Sequence, residues 1–199
     1  MTSRLFVAVV PPADILDDLD RYAEPRRDED SPLRWTRPES WHLTLAFTPS
    51  VPDHAEEEYI DRLRAAASRH RPFELQLAGA GTFPMPYKAK VLWAGVVGEV
   101  DTLTHLSTAC RAAAGTAGLE VDGGRFRPHL TLARLNPPRD VTRWLRVFEL
   151  FSSRPWQVTE FELISSNLRA GSADRYRTLE RFPILGAEPS HRDGSAPKI

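Results

Sequence analysis

One cysteine and two methionines are all the sulfur that this chain of 199 residues carries. A single thiol, Cys110, excludes an internal disulfide and a Cys-rich metal site, and it points to a reducing compartment. No charge of one sign dominates, since 26 Lys and Arg stand against 27 Asp and Glu, for a formal net charge of −1. A global nucleic-acid signature is therefore missing, and any anionic ligand has to be met by a local patch. Long hydrophobic runs are missing too. The apolar run before Pro11-Pro12 is too short for a signal-peptide core or a membrane span and reads as a strand, so a cytoplasmic protein without membrane contact is expected. No strand-to-helix turn carries a Gly-rich phosphate loop, which argues against a parallel doubly wound sheet. The length suits one domain, or two intimate lobes, with a real core.

What is present is short strands and amphipathic helices in two similar halves. Arg4 to Val10 is rich in strand formers and stopped by prolines. Asp14 to Tyr22 spaces Ile15, Leu16 and Leu19 as a helix does. After a charged loop from Pro25 to Ser31 come short strands at Leu33 to Thr36 and His42 to Phe47, then a turn at Pro49 to Pro52. Asp53 to Arg69 reads as a helix, with Asp53 and Glu56 as a capping box. Strands at Phe73 to Leu77 and Val91 to Val97 flank a Gly- and Pro-containing loop. The second half replays the order: a helix from Val100 to Ala117, a strand from Pro128 to Leu135 broken by Pro137-Pro138, and a shorter helix from Asp140 to Phe148. Strands at Val158 to Ser165 and Tyr176 to Phe182 follow. The pattern predicts an α+β protein in which two small antiparallel sheets carry helices on their outer faces. Residues 1–185 form one bilobal domain in this reading, and 186–199, with His191, form a disordered polar tail.

One phrase occurs twice. His42-Leu43-Thr44-Leu45-Ala46 returns as His129-Leu130-Thr131-Leu132-Ala133, a little under half the chain later. From the chain's own composition, a histidine is followed by Leu-Thr-Leu about once in 1,000, so two hits among six histidines are not coincidence. On a strand, side chains two apart share a face. His and Thr then point one way from each copy, and the leucines anchor into the core. If a pseudo-two-fold relates the halves, the two polar prongs face each other across a cleft.

Two imidazoles and two hydroxyls converging on one point suit displacement at phosphorus, where nucleophile and leaving oxygen lie roughly in line. One histidine serves as base and the other as acid near neutral pH. Thr hydroxyls donate to the non-bridging oxygens, which gather charge in the transition state. Arg134 follows the second phrase where Phe47 follows the first, which makes the site asymmetric. In an unbroken strand Arg134 would point away from the prong, so its participation needs a bulge, a strand end or a long reach. No metal is expected, because no Cys, third His or H-x-x-x-H spacing accompanies the pair. His54, His70 and His105 fall on predicted helices or their caps and read as solvated. Glu56, Glu57 and Glu58 read as a solvated helix face, and Trp35, Trp93, Trp144 and Trp156 as core.

At these residues the sequence resembles the two-histidine phosphoesterase superfamily, defined by paired His-x-Thr/Ser-x motifs. Within it, the chain resembles the bacterial and archaeal RNA 2′,3′-cyclic phosphodiesterases, also called 2′-5′ RNA ligases. The likeness covers about residues 3 to 185. It includes Arg4 to Val9, Arg34-Trp35, Phe83-Pro84, Lys90 to Trp93, and a closing strand pair with Gly171 and Tyr176. Its most specific block is Phe126 to Arg134. The resemblance implies a bilobal fold with two sheets forming a V-shaped cleft. It also implies opening of a 2′,3′-cyclic phosphate at an RNA end to a 2′-phosphomonoester, with no metal or nucleotide cofactor, and reversible making and breaking of 2′-5′ linkages.

Carried over by position, the resemblance makes His42 and His129 the catalytic pair, with Thr44, Thr131 and Arg134 on the phosphate. His129 would activate water and His42 would protonate the departing 3′-oxygen. Two departures stand out: Phe47-Thr48-Pro49-Ser50 replaces the family's usual Phe-Leu-Gly turn, and Lys90 stands where arginine is frequent. Arg34, Arg37, Lys88, Lys90, Arg125 and Arg127 are candidates for the RNA backbone. The expected partner is RNA with a 2′,3′-cyclic phosphate end or a 2′-5′ linkage, handled by a monomer. Two other functions fit the same residues: a cyclic phosphodiesterase acting on small nucleotides, and a protein that binds RNA ends without turnover.

Overall fold

Five consecutive buried residues, Leu5 to Val9, make β1 (Thr2–Val9) a strand covered on both faces, and the sheet is built outward from such strands. The computed structural model describes residues 2–27, 32–167 and 175–186. Part of the charged loop, the stretch holding Gly171, and the expected tail from 187 onward with His191 lie outside the described residues. After β1 come α1 (Ala13–Ala23), β2 (Arg34–Trp35), β3 (Leu43–Pro52), α2 (Asp53–Ala67), β4 (Phe73–Phe83), β5 (Ala89–Gly98) and α3 (Val100–Thr116). The chain continues with β6 (Leu130–Arg139), α4 (Thr142–Phe148), β7 (Trp156–Val158), β8 (Glu160–Ser166) and β9 (Tyr176–Pro183).

The α+β class and the antiparallel pairing stand as read from the sequence. The strands run in the order β7-β4-β5-β6-β3-β1-β8-β9, which is two four-stranded arms, with β2 added against β6. The arms meet between β6 and β3 at one residue pair, Leu43 opposite Leu130, both fully buried. Each arm borrows from the other half of the sequence. β4 and β5 of the first half are flanked by β7 and β6 of the second, whereas β8 and β9 of the second half extend the sheet from β1. The duplication is therefore one of order along the chain, and each arm is built by strand exchange between the halves. α2 packs on α3, which covers β3, while α4 packs on β4. One continuous core joins both arms.

Three expectations are corrected. α2 starts at Asp53 itself, with Pro52 in the cap position and no side-chain cap bond, so the capping box does not form; β3 runs straight into the helix and leaves no residue between them to serve as cap. β3 also continues through Pro49 to Pro52, and β6 through Pro137 and Pro138. In these stretches each strand has a ladder partner on one side only, β1 for β3 and β5 for β6, and an edge tolerates the missing N–H of proline. β4 likewise runs on through Gly79 and Gly81. Gly81 is required there because the Trp93 indole lies against it, and a Cβ would sit 2.0 Å from the ring.

Candidate active site

The Leu43–Leu130 pair fixes the site. It is the one ladder pair between β3 and β6 among the described residues, and each member is flanked by the His and Thr of its own copy, His42 and Thr44 on one strand and His129 and Thr131 on the other. All four side chains line one cleft of about 720 Å³ between the arms. The two leucines behind them are fully buried, as the anchor role requires.

The position of Arg134 depends on a bulge. Along β5 and β6, Leu92 pairs with Ala133 and Trp93 with Thr131, so β6 spends one more residue than its partner. Leu132 and Ala133 are buried in succession, and the alternation resumes with Arg134 exposed and lining the cleft beside Thr131. β3 carries the matching bulge: Val7 pairs with Ala46 and Ala8 with Thr44, which brings Phe47 to a pocket shared with His42 and Thr44. Both bulges leave a carbonyl that the ladder does not serve. The Ser107 hydroxyl on α3 donates to Leu45 O at 2.6 Å, and the Thr36 N–H donates to Leu132 O at 2.8 Å. The bulge that the sequence argument required of Arg134 is thus present in duplicate.

Each histidine is held the same way. His42 Nδ1 donates to the Ser40 carbonyl at 2.8 Å and His129 Nδ1 donates to the Arg127 carbonyl at 2.7 Å. A carbonyl only accepts, so the ring proton resides on Nδ1 in both neutral rings and Nε2 is left as the reactive nitrogen. Phe6 stacks on His42 at 4.6 Å between centroids, and Tyr176 meets it edge-on at 5.6 Å. Phe83 meets His129 edge-on at 4.9 Å, with Trp93 beside it at 6.1 Å. Burial pushes the His42 pKa down to about 4; the Ser40 bond opposes this, and charge on His129 and Arg134 adds to it. Burial also lowers His129, with Arg134 adding to the effect and the Arg127 carbonyl opposing it. Both imidazoles are therefore neutral at pH 7 until an anion arrives.

The cleft is built for that anion. Arg34, Arg37, Lys90, Arg134 and Arg175 line it, and no carboxylate does among the described residues. Arg34 and Arg134 are direct cross-strand partners, and like charges opposite each other are destabilising unless something lies between them. A local patch thus arises in a chain of net charge −1. Of the residues singled out from the sequence, His42, Thr44, His129, Thr131, Arg134, Arg34, Arg37 and Lys90 gather here. Arg125 and Arg127 do not: they line a separate groove beside α3, and the Arg127 guanidinium lies over Phe83, 5.9 Å from its centroid. Lys88 lines neither space.

His54 and His105 are exposed, and His70 donates to Ala66 O at the end of α2. No group of three His, Cys, Asp or Glu suited to a metal occurs among the described residues. Sequence reasoning missed Ser40, Asn136 and Arg175 as cleft residues and Phe6 as the ring stacked on His42; Phe6 and Arg175 come there by pairing between distant segments, whereas Ser40 lies two residues before His42 and acts through a carbonyl that no side-chain pattern marks. Two imidazoles with free Nε2 atoms, two hydroxyls and a guanidinium can take one proton, give another and hold a phosphoryl group between.

The chain has relatives in sequence and in fold. An RNA 2′,3′-cyclic phosphodiesterase of Geobacillus stearothermophilus is 29% identical over 96% of this chain, and the match spans 60% of that protein's length. The protein of the same name from Archaeoglobus fulgidus is 30% identical, over 83% of this chain and 92% of its own length. The crystal structure of E. coli LigT complexed with 3′-AMP superposes with a TM-score of 0.73 at 26% identity, covering 92% of this chain and 99% of that one. The model of the 2′-5′ RNA ligase superfamily matches residues 11–169, from α1 through both histidine strands to the end of β8. With that span matched, this chain belongs to the 2′-5′ RNA ligase superfamily.

Proposed function

We propose that the protein hydrolyses 2′,3′-cyclic phosphate ends of RNA to 2′-phosphomonoesters with its histidine pair, and that with a 5′-hydroxyl in place of water the same site makes and breaks 2′-5′ linkages reversibly. The observation that carries this reading is the paired Nδ1–H bonds to Ser40 and Arg127, which leave two Nε2 atoms to one cation-lined cleft. In the forward direction His129 Nε2 takes a proton from water as its oxygen bonds to phosphorus. The bond from phosphorus to the 3′-oxygen breaks, and His42, which takes up a solvent proton on Nε2 as the phosphate binds, gives that oxygen the proton. Thr44, Thr131 and Arg134 hold the non-bridging oxygens, while Arg34 and Lys90 meet the RNA backbone at the cleft rim. Arg127 acts through its carbonyl, as the support of His129.

The direction follows from enclosure. His42 lies between Phe6 and Tyr176, where the charge of a bound phosphate is least screened and raises the imidazole pKa most. His129 is the more open of the two and is reached by water. A single chain supplies every reacting group, so a monomer suffices. We infer a cytoplasmic location from the reduced thiol, and no helix among the described residues is long and apolar enough to cross a membrane.

The test is an RNA with a 2′,3′-cyclic end incubated with EDTA, with the product identified as 2′- or 3′-phosphate. The expected product is the 2′-phosphate at an undiminished rate, and His42→Ala and His129→Ala each lose about 10²–10⁴-fold in turnover. Wild-type turnover in either variant overturns the reading.

A further inference from the structure

Beside His42, and continuous with the cleft through His42, Thr44, Arg134, Arg175 and Tyr176, lies a second pocket of about 420 Å³. Arg4, Phe47 and Ser166 line it and do not line the main cleft. Its cations are Arg4, Arg134 and Arg175, and it has no carboxylate among the described residues. None of the three arginines has a salt-bridge partner among the described residues. Arg4 is exposed, and its guanidinium lies over the Phe47 ring, 4.9 Å from the centroid.

That geometry comes from the β3 bulge. It turns Phe47 to the side of His42, at the place where the other arm presents Arg134. The first arm therefore has no guanidinium of its own in that strand, and it carries a ring that steadies an arginine from β1. An aromatic face holds a guanidinium at little cost while leaving its N–H groups free for an oxyanion. The Phe6, Ala8 and Ile164 cluster, with Phe47 and Tyr176 packed against it, supplies a rigid apolar base beneath.

We propose that this pocket is a second phosphate subsite: Arg4, steadied by Phe47 and joined by Arg175, binds the phosphate on the 5′ side of the nucleotide whose cyclic phosphate lies between the histidines. The assignment rests on the hydrolytic reading above and deepens it, since it makes the preferred substrate one with a phosphate upstream of the reacting end. The phosphate is either a terminal 5′-monoester or the diester that continues an RNA chain, and both present the same oxyanion chemistry to a guanidinium.

Three substrates separate the possibilities: a nucleoside 2′,3′-cyclic phosphate, the same compound with a 5′-phosphate, and a dinucleotide with a cyclic end. The wild-type protein is expected to favour the second and third over the first in kcat/KM. In Arg4→Gln that preference ratio is expected to fall about tenfold or more, as for a lost charge-assisted hydrogen bond. Arg4→Lys should restore part of it, and Phe47→Leu should lower it less than Arg4→Gln does. Higher salt should reduce the preference in the wild type. Turnover of all three substrates with a ratio unchanged in Arg4→Gln overturns the subsite and leaves the hydrolytic reading standing. A gain seen for the dinucleotide alone identifies the diester as the phosphate if it is lost in Arg4→Gln; if it is kept in Arg4→Gln, the effect belongs to base or sugar and the phosphate assignment is overturned. Absence of turnover on all three overturns the hydrolytic reading and the subsite with it.

Discussion

Ser40 and Arg127 each place a carbonyl oxygen two residues before a histidine, and those two oxygens set the protonation chemistry of the site. At the same scale, the enclosure of His42 has a cost that depends on pH. Its folded pKa of about 4 lies below the ordinary value of 6.5. Between these values the unfolded chain binds the proton and the folded one does not, so stability falls as the solution is acidified through that window. The loss amounts to as much as about 3 kcal/mol by pH 4. Urea denaturation at pH 7, 5.5 and 4 should show this slope in the wild type and a clearly shallower one in His42→Gln; equal slopes would refute the enclosure of His42. Because both imidazoles are lowered, the bell-shaped profile of kcat/KM, which reports the free protein, should centre below pH 6.5. The profile of kcat should lie higher, since bound phosphate favours the charged imidazole. A kcat/KM optimum well above pH 7 would contradict the shifts.

At the scale of elements, the two bulges decide what faces the cleft. Without them Phe47 and Arg134 would point into the core side of their strands, and the site would keep its histidines but lose its guanidinium. Ser107, fully buried, serves the Leu45 carbonyl at the β3 bulge. Ser107→Ala leaves that oxygen unpaired and should cost about 1–3 kcal/mol of stability, with a fall in kcat as Thr44 and Phe47 shift. Chemical denaturation and steady-state kinetics read the two effects, and a variant as stable and active as the wild type would show that the bulge holds itself.

The whole molecule turns on one point of contact between the arms. Leu43 and Leu130 are the one ladder pair between β3 and β6 among the described residues, and each adjoins the His and Thr of its own copy in the site. Truncating either to Ala should cost about 2–5 kcal/mol. Since they are cross-strand partners, the double variant should depart from additivity by more than about 0.5 kcal/mol. Strict additivity in denaturation experiments would mean that the arms are held by the helices instead.

Much of this was legible in the chain. The repeated His-Leu-Thr-Leu named four cleft residues, because period-2 alternation on a half-buried strand separates anchor from prong whatever surrounds it. Helix and strand identities came from the same periodicities. The resemblance carried by Phe126 to Arg134 pointed to the family that the comparisons bear out. Three things stayed out of reach. Proline at Pro49 and Pro137 reads as a strand breaker until the strand is known to lie at an edge. The reach of Arg134 depends on a one-residue slip against β5. One partner strand of β1 and one of β5, namely β8 and β6, come from the other half of the sequence, so Tyr176 meets His42 and Arg175 joins the cleft with no local signal to announce it. Composition and periodicity act over a few residues, so the sequence by itself determined the elements, their duplicated order and the chemistry of the prongs. Register, bulges and strand exchange are settled by pairing between distant segments, so only the tertiary structure decided which groups stand together in the cleft.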